Sequence, residues 1–342
     1  MTADWLWYDR GRLASLARLL LAPAEGLWRV AARARNALFD RGTLAAHPPA
    51  MPVISVGNLT VGGTGKTPVA AYLAGELLQR GARPAVVLRG YGDDEVDVHR
   101  RLNPTVVVVA DADRVRAVGR ALRDGADVAV LDDGFQHRRL QRTADLVLVE
   151  AERWGLTRRC LPAGPFREPV SALRRATAVL VTQKVATAET AERVAGEIRA
   201  SGVSRVGIAR FRLDGVHAAL PGSASLPEAS LTTLGGLRVL AVSGVGNPDA
   251  WERQLAGLVS SLDSARYPDH HAFTMREVAA LADRGSGVDA VICTLKDAVK
   301  LGRLWPRNGP RLLYVSQRVE VVTGGEWLAR LLDTIVTARP RP

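Results

Sequence analysis

Residues 52–68 read Pro-Val-Ile-Ser-Val-Gly-Asn-Leu-Thr-Val-Gly-Gly-Thr-Gly-Lys-Thr-Pro. The apolar run Val53, Ile54 and Val56 predicts a short strand entering a glycine-rich turn that ends in Gly65-Lys66-Thr67. The run Val69 to Leu78 predicts the helix that follows. That order suits a triphosphate. Glycines let backbone N–H groups curl around phosphate oxygens, and a helix start presents the positive end of its dipole. Thr60, Val61, Gly62, Gly63, Thr64, Gly65, Lys66 and Thr67 are therefore the candidate nucleotide-binding residues. Lys66 would neutralise the outer phosphates, and the Thr67 hydroxyl would sit on Mg²⁺. The strict phosphate-loop pattern has glycine where this chain has Thr60, but Gly62 and Gly63 still supply flexibility. The competing reading is an ordinary glycine-rich strand-to-helix turn.

Composition narrows the class. A chain of 342 residues with 47% apolar residues is long enough for two α/β domains or one large one, with a sizeable core. Cys160 and Cys293 lie far apart and make no ligand-type pair, which fits a reducing compartment without a disulfide framework. The net charge of +11 points to an anionic partner, which could be nucleic acid, an acidic membrane surface or a phosphorylated substrate. Charge alone does not choose among these. No stretch approaches the roughly 20 apolar residues needed to span a bilayer. Arg18 interrupts the run Leu13 to Ala22, so that run is read as retained and not as a signal peptide.

Residues 1–46 read as an amphipathic helical segment broken near Pro23. Leu13, Leu16 and Leu20 share one face, and Leu27, Val30, Ala31, Ala34 and Leu38 share another. Arg10, Arg12, Arg18, Arg29, Arg33 and Arg35 lie among them, with Trp5, Trp7 and Trp28 nearby. Two readings are open: a helix lying in an anionic membrane interface, or one packed on the protein's own core with a solvated basic face.

From residue 47 the pattern alternates strand and helix. Strand-like runs are Val53–Val56, Ala85–Leu88, Thr105–Ala110, Val128–Leu131, Leu146–Glu150 and Val179–Thr182. Their consecutive apolar residues suit a parallel sheet covered by helices on both faces. The fold class expected is α/β, a phosphate-loop NTPase-like parallel sheet over 47–210 with a second, smaller α/β domain over 237–342. The stretch from about 201 to 236 reads as irregular, with 211–236 as the junction. Beyond it, strand-like runs are Val239–Val242, Val288–Thr294 and Leu312–Val315, and helices are expected around Trp251–Leu262 and Met275–Asp283.

Other positions carry chemistry. The run from Val128 ends in Asp132-Asp133-Gly134, and an acid at the end of a strand beside the phosphate loop holds Mg²⁺ directly or through water. An Asp-Asp-Gly turn with no ligand is the alternative. His137, Arg138 and Arg139 add cations to the same rim. Tyr267-Pro268-Asp269-His270-His271 pairs two histidines in a turn, without the further ligands that zinc would want. Proton transfer or phosphate contact fits better, and surface turn histidines are also common. Arg89-Gly90-Tyr91-Gly92-Asp93-Asp94-Glu95 follows a strand, where ligands sit in open α/β sheets, so its acids are candidate bases.

Together these segments resemble the tetraacyldisaccharide 4′-kinase (lipid A 4′-kinase) family. The resemblance is carried by Val-Gly-Asn-Leu-Thr-Val-Gly-Gly-Thr-Gly-Lys-Thr-Pro, Arg89-Gly-Tyr91-Gly and Leu-Asp-Asp-Gly-Phe-Gln-His-Arg-Arg-Leu-Gln-Arg. Leu-Pro-Ala-Gly-Pro-Phe-Arg-Glu-Pro, Gly244-Val-Gly-Asn-Pro248, Tyr-Pro-Asp-His-His-Ala-Phe-Thr and Thr294-Leu-Lys-Asp-Ala-Val-Lys300 add to it, in the family's order. It implies ATP-dependent phosphorylation of the 4′-hydroxyl of an acylated glucosamine disaccharide 1-phosphate during lipid A biosynthesis. It also implies two α/β domains joined by a hinge with the site between them. The implied location is cytoplasmic, peripheral to the inner membrane, with the lipid as partner and no nucleic acid. ATP and Mg²⁺ are the implied cofactors.

Carried over by position, Gly63, Gly65, Lys66 and Thr67 hold the triphosphate and Mg²⁺, and Asp132, Asp133 and Glu168 match the acids around the metal. Asp94 matches the catalytic carboxylate and His270 its partner, with Arg89, Tyr91 and His137 on the acceptor side. Two departures stand out. The insert that usually follows the Arg-Gly-Tyr motif is nearly absent, so Asp93 competes with Asp94 for the role of base, and Leu295 replaces the Glu of Thr-Glu-Lys-Asp. The expected mechanism is in-line γ-phosphoryl transfer with Lys66 and Mg²⁺ absorbing charge. The rival is a phosphate-loop ATPase or GTPase without a lipid acceptor, although no guanine-selective Asn-Lys-x-Asp motif is present. A nucleic-acid binder with an ATPase core is a third reading, and no recognisable nucleic-acid module accompanies it.

Overall fold

The structure, a computed structural model, describes residues 4–90, 93–220 and 229–339. In chain order the helices are α1 (Asp4–Tyr8), α2 (Arg12–Leu20), α3 (Ala22–Asp40), α4 (Lys66–Gln79), α5 (Asp93–Leu102), α6 (Arg114–Arg123), α7 (Ala188–Ala200), α8 (Pro248–Ala256), α9 (Met275–Gly285), α10 (Leu295–Leu304) and α11 (Gly325–Thr337). The strands are β1 (Val53–Asn58), β2 (Pro84–Leu88), β3 (Val107–Ala110), β4 (Val128–Asp132), β5 (Ala144–Glu150), β6 (Ala178–Gln183), β7 (Val206–Ala218), β8 (Ala229–Ser230), β9 (Arg238–Ser243), β10 (Ser261–Arg266), β11 (Ala290–Cys293) and β12 (Leu312–Thr323).

These form two compact units. One takes its described residues from Met1–Tyr91, His99–Arg210 and Val321–Pro342, the other from Gly92–Val98 and Phe211–Glu320. The chain crosses between them within α5, near the middle of β7 and near the end of β12.

In the first unit the strand order is β7-β6-β5-β1-β4-β2-β3, and every recorded pairing in it is parallel. Strands β1, β2, β4 and β6 are buried at every residue, which is why they read as unbroken apolar runs. One core cluster packs Val53, Ala85, Val87, Val109 and Leu131 with α6, and another packs Val147, Val149, Val179 and Val181 with α7. In the second unit the order is β10-β9-β11-β12-β7, with β8 antiparallel to β7.

Two local expectations are corrected and a third holds. The stretch read as irregular contains the 13-residue strand β7. Its Arg210, Arg212 and Asp214 alternate with Ala209, Phe211 and Leu213, the period of a half-exposed strand and not of a fully buried one. The helix expected over Trp251–Leu262 ends at Ala256, and Ser261 already belongs to β10. The N-terminal segment does break near Pro23, which occupies the first turn of α3, where a missing N–H costs nothing.

Two features of β1 place the chemistry. Val56 pairs with Asp132, so the glycine loop after β1 and the acids after β4 leave adjacent strands at the same edge. The acid turn then lies directly over β1. A Cβ on Gly57 would meet Phe135 Cβ at 2.4 Å and its backbone N at 2.9 Å. Gly57→Ala must push this turn outward, and we expect a loss of about 1–3 kcal/mol, the range for overpacking a tight interior. A urea titration checks this, and an unchanged midpoint would mean that the turn yields freely.

Candidate functional site

The glycine loop is held open from outside. Gly65 precedes α4 with φ +92° and Gly62 has φ +111°, values that side-chain-bearing residues rarely adopt. Asn58 Nδ2 donates to Thr64 Oγ1 at 2.9 Å, and Thr182 Oγ1 donates to the Thr64 carbonyl at 3.2 Å. Lys184 Nζ donates to the Gly63 carbonyl at 2.5 Å. The proline-rich loop closes the other side, with Val61 N donating to Pro165 O and Arg167 N to Leu59 O. The loop is thus braced by the protein itself, and the start of α4 turns the positive end of its dipole to this edge.

Of the acids beside it, Asp132 and Glu168 are buried yet charged, and Asp133 is half-buried. Burial works to raise Asp132. It is outweighed by His99, whose Nε2 lies 3.0 Å away, and by Lys66 and the Thr67 hydroxyl, leaving Asp132 below the ordinary carboxylate range. Burial likewise works against Asp133, and Lys66 at 3.6 Å together with Arg167 hold it low. Arg167 Nη1 reaches both Asp133 oxygens at 3.0 and 2.9 Å. Glu168 is also held low against the pull of burial. Arg175 forks onto its two oxygens at 2.8 and 3.1 Å, and Asn36 Nδ2 donates to one of them.

The structure therefore gathers Lys66, Thr67, Asp132 and Asp133 at one strand edge, while Glu168 faces Arg175 and Asn36. Among the described residues there is no group of three or more His, Cys, Asp or Glu placed to hold a metal. Mg²⁺ at phosphate sites characteristically takes one or two carboxylates and completes its shell with water and phosphate oxygens. The ionised, buried Asp132 beside the Thr67 hydroxyl fits that donor set.

In the second unit Asp94 and His270 meet. Asp94 Oδ2 lies 4.0 Å from His270 Nδ1, an electrostatic contact longer than a hydrogen bond. Glu95 and Asp269 each come within 3.9 Å of the other ring nitrogen. His270 itself has φ +60°, left-handed for a non-glycine residue. Of the expected acceptor-side residues, Arg89 is exposed at the end of β2, and Tyr91 lies outside the described residues, as does the Asp93 side chain. His137 is half-buried in the first unit. Burial, and then the neighbouring Arg114, push it down to about 4, so it is neutral near pH 7.

Several supporting groups gave no sequence signal. His99 and Arg175 act through partners or side-chain directions that have no period to read, and Arg167 lay in a motif of the resemblance without its reach to Asp133 being visible. Asp297 is wholly buried, and burial pushes its carboxyl up despite donors from Thr294 and Gly244. Its place in a family-like motif was visible, but its contact with Gly244 was not.

Comparison with known proteins follows from this geometry. A family model described as tetraacyldisaccharide-1-P 4′-kinase matches residues 17–101 and 92–336. The tetraacyldisaccharide 4′-kinase of Anaeromyxobacter sp. (strain Fw109-5) is 39% identical over 361 residues, covering 96% of this chain and 95% of its own. That of Geobacter sulfurreducens is 37% identical over 322 residues, covering 85% of this chain and 86% of its own. The crystal structure of LpxK from Aquifex aeolicus in complex with ATP superposes with a TM-score of 0.71 at 28% identity, covering 94% of this chain and 99% of that one.

The depressed His137 carries a pH signature. Between its ordinary value and about 4, the unfolded chain binds a proton that the folded chain does not. Stability present above about pH 6.5 is therefore lost as pH falls through that window. His137→Gln should flatten this part of the curve, as read by urea midpoints at pH 7.5, 6 and 4.5. Parallel curves for the two proteins would show that His137 does not titrate as argued.

Proposed function

The chain belongs to the tetraacyldisaccharide 4′-kinase family, and from that premise we propose how its own residues carry out the reaction. The reaction is phosphoryl transfer from ATP to the 4′-position of a tetraacylated disaccharide 1-phosphate, a step of lipid A biosynthesis. The observation that carries the assignment of roles is the braced glycine loop with Lys66, Thr67 and Asp132 converging at the start of α4. Backbone N–H groups of Gly63, Gly65, Lys66 and Thr67 cradle the phosphates within the loop Thr60 to Thr67, and Lys66 neutralises charge that builds on the transferring group. Thr67 and Asp132 hold Mg²⁺, with Asp133 and Glu168 as the outer acids of the rim. The positive charge that Mg²⁺ would supply there, when bound, would offset the negative charge of the phosphates.

Asp94 is the base that takes the proton of the acceptor hydroxyl, and His270 orients it and shares the charge. The 4.0 Å contact supports that pairing, since catalytic contacts are often loose before substrate arrives. Arg89, Tyr91 and His137 are proposed as acceptor contacts. A neutral His137 would serve as a hydrogen-bonding group and not as a cation.

The acceptor is a lipid, and the N-terminal helices suit a lipid surface. Helix α3 is inverted relative to a water-facing helix. Glu25, Arg29, Ala32, Asn36 and Phe39 turn toward the protein, while Leu27 and Val30 stand 74% and 63% exposed. Glu25 is buried, accepting from Cys160 N and Arg159 Nη1, and Arg35 donates to the Gln136 carbonyl. On α2, Leu13 and Leu20 are 79% and 73% exposed. No helix among the described residues is long and apolar enough to cross a membrane. An apolar face flanked by arginines instead lies in the headgroup region of an anionic bilayer, here proposed as the cytoplasmic face of the inner membrane.

Two measurements test these roles. With ATP, Mg²⁺ and detergent-dispersed disaccharide 1-phosphate, Asp94→Ala should lower kcat by about 10²–10⁴-fold, the reach of general-base catalysis. Nucleotide affinity should stay within about twofold, since uniform binding of ATP does not involve this group. A near-wild-type rate of phosphomonoester formation would move the base elsewhere. Separately, Leu20→Asp combined with Leu27→Asp removes two exposed leucines and should cut binding to anionic liposomes by about 10²-fold, at roughly 1.5 kcal/mol or more per leucine. Unchanged co-sedimentation would count against membrane docking through these helices.

A further inference from the structure

Two sequence motifs remain without a part in the chemistry: Gly244-Val-Gly-Asn-Pro248 and Thr294-Leu-Lys-Asp-Ala-Val-Lys300. The structure joins them to the histidine turn. Wholly buried Asp297 accepts from Gly244 N at 3.0 Å and from the Thr294 hydroxyl at 2.7 Å. The approach is so close that a Cβ on Gly244 would meet Asp297 Oδ1 at 2.9 Å and the Pro268 carbonyl at 3.2 Å. Gly244, Asp297 and the turn at Pro268 therefore form one packed base.

Lys300 stands on that base, two turns into α10 and mostly buried. Its Nζ donates to the His271 carbonyl at 3.0 Å and lies 3.6 Å from Asp94 Oδ2 and 3.9 Å from Asp297 Oδ1. The ring of Phe273 lies beneath it at 5.8 Å. We propose that Lys300 is a positioning residue of the kinase reaction, fixing both members of the Asp94–His270 pair at once. The proposal rests on the reading of Asp94 as base.

Two physical demands make the case. First, His270 holds a left-handed backbone, which costs about 1–3 kcal/mol and persists only where its surroundings over-determine it. The following residue is tied down on every side. The His271 ring stacks on Tyr267 at 4.7 Å, meets the Phe273 edge at 5.0 Å and pairs with Glu277 at 3.0 Å, while its carbonyl is gripped by Lys300. His270 is left half-exposed at the tip of the turn, facing Asp94. Second, Asp94, Glu95 and Asp269 bring three carboxylates around one imidazole. A cation beside the same Asp94 oxygen that faces the histidine offsets that repulsion and holds the carboxylate in place. Lys300 meets both demands because a single ammonium carries several donors in different directions.

The test uses the full chain, with Lys300→Met, Lys300→Arg, Asp94→Ala and the Lys300→Met/Asp94→Ala double variant assayed side by side. Lys300→Met should lower kcat by about 10–10²-fold, part of what a general base supplies, with KM for ATP and nucleotide affinity within about twofold. Lys300→Arg, which keeps charge and donors, should recover most of that loss. In the Asp94→Ala background, Lys300→Met should cost less than about threefold, because residues acting as a unit are not additive. If Asp94→Ala is inactive while Lys300→Met keeps wild-type kcat, or if the two losses multiply, Lys300 does not position the pair and the base reading stands. If Asp94→Ala keeps its rate, the base reading falls and this proposal falls with it.

Discussion

The organising constraint in the first unit is that a carboxylate buried away from water must be met by cations or hydrogen-bond donors, or it loses its charge. Asp132, Asp133 and Glu168 are all held ionised against burial, and their partners define the architecture around the loop. Arg167 and Glu168 are consecutive, yet Arg167 reaches Asp133 while Glu168 turns to Arg175 and Asn36. One dipeptide therefore stitches the acid turn to the loop on one side and α3 to the 3₁₀ segment Val170–Arg175 on the other. The Lys66–Asp133 contact is the loosest of the set at 3.6 Å, and Asp133 already has Arg167. On the proposed function, a triphosphate in the loop would offer Lys66 a stronger anionic partner at little cost to Asp133.

Much of this was legible because it is local. Strand β1, the glycine loop and the start of α4 follow from a contiguous run in which each residue type has a positional reason. The strands buried on both faces announced themselves as apolar runs, and Lys66, Thr67, Asp132 and Asp133 came with them. What could not be read is pairing at long range. His99 reaches Asp132 across 33 residues, and Lys300 reaches the His271 carbonyl across 29. Strand β7 was missed because its charged residues alternate with apolar ones, and the preceding runs had set the eye for unbroken hydrophobicity. The return of α11 to the first unit depends on packing: a Cβ on Gly207 would meet the Thr323 carbonyl at 2.5 Å and the Trp327 ring at 3.1 Å.

The N-terminal helices show periodicity identifying a face without saying which way it points. The apolar positions of α3 were read correctly as one stripe, and that stripe is the exposed one. Inversion is possible because the buried stripe is satisfied by specific polar contacts in place of apolar area. Glu25 and Asn36 bond to the Cys160 amide and Glu168, and the exposed Arg35 beside them reaches the Gln136 carbonyl. Such contacts fix orientation at modest net stabilisation, about 0.5–1.5 kcal/mol for a neutral hydrogen bond and somewhat more with a charge. The exposed leucines add nothing to folding in water. Their energetic return comes only when another apolar phase covers them.

The same device appears at both chemical centres. Among the described residues, Asp133 and His270 are the non-glycine residues with positive φ, at 59° and 60°. Left-handed backbone of this kind is retained when something outside the turn holds it there. At Asp133 the hold is on the side chain, where Arg167 reaches both carboxylate oxygens. At His270 it is on the backbone one residue later, where Lys300 takes the carbonyl and the ring faces Asp94, Glu95 and Asp269. The difference follows from what each residue must do. An acid beside a phosphate loop can be clamped by its carboxylate, because its charge is its contribution. On the role proposed for His270, the ring must be left to its neighbouring acid, so its position is fixed through the chain.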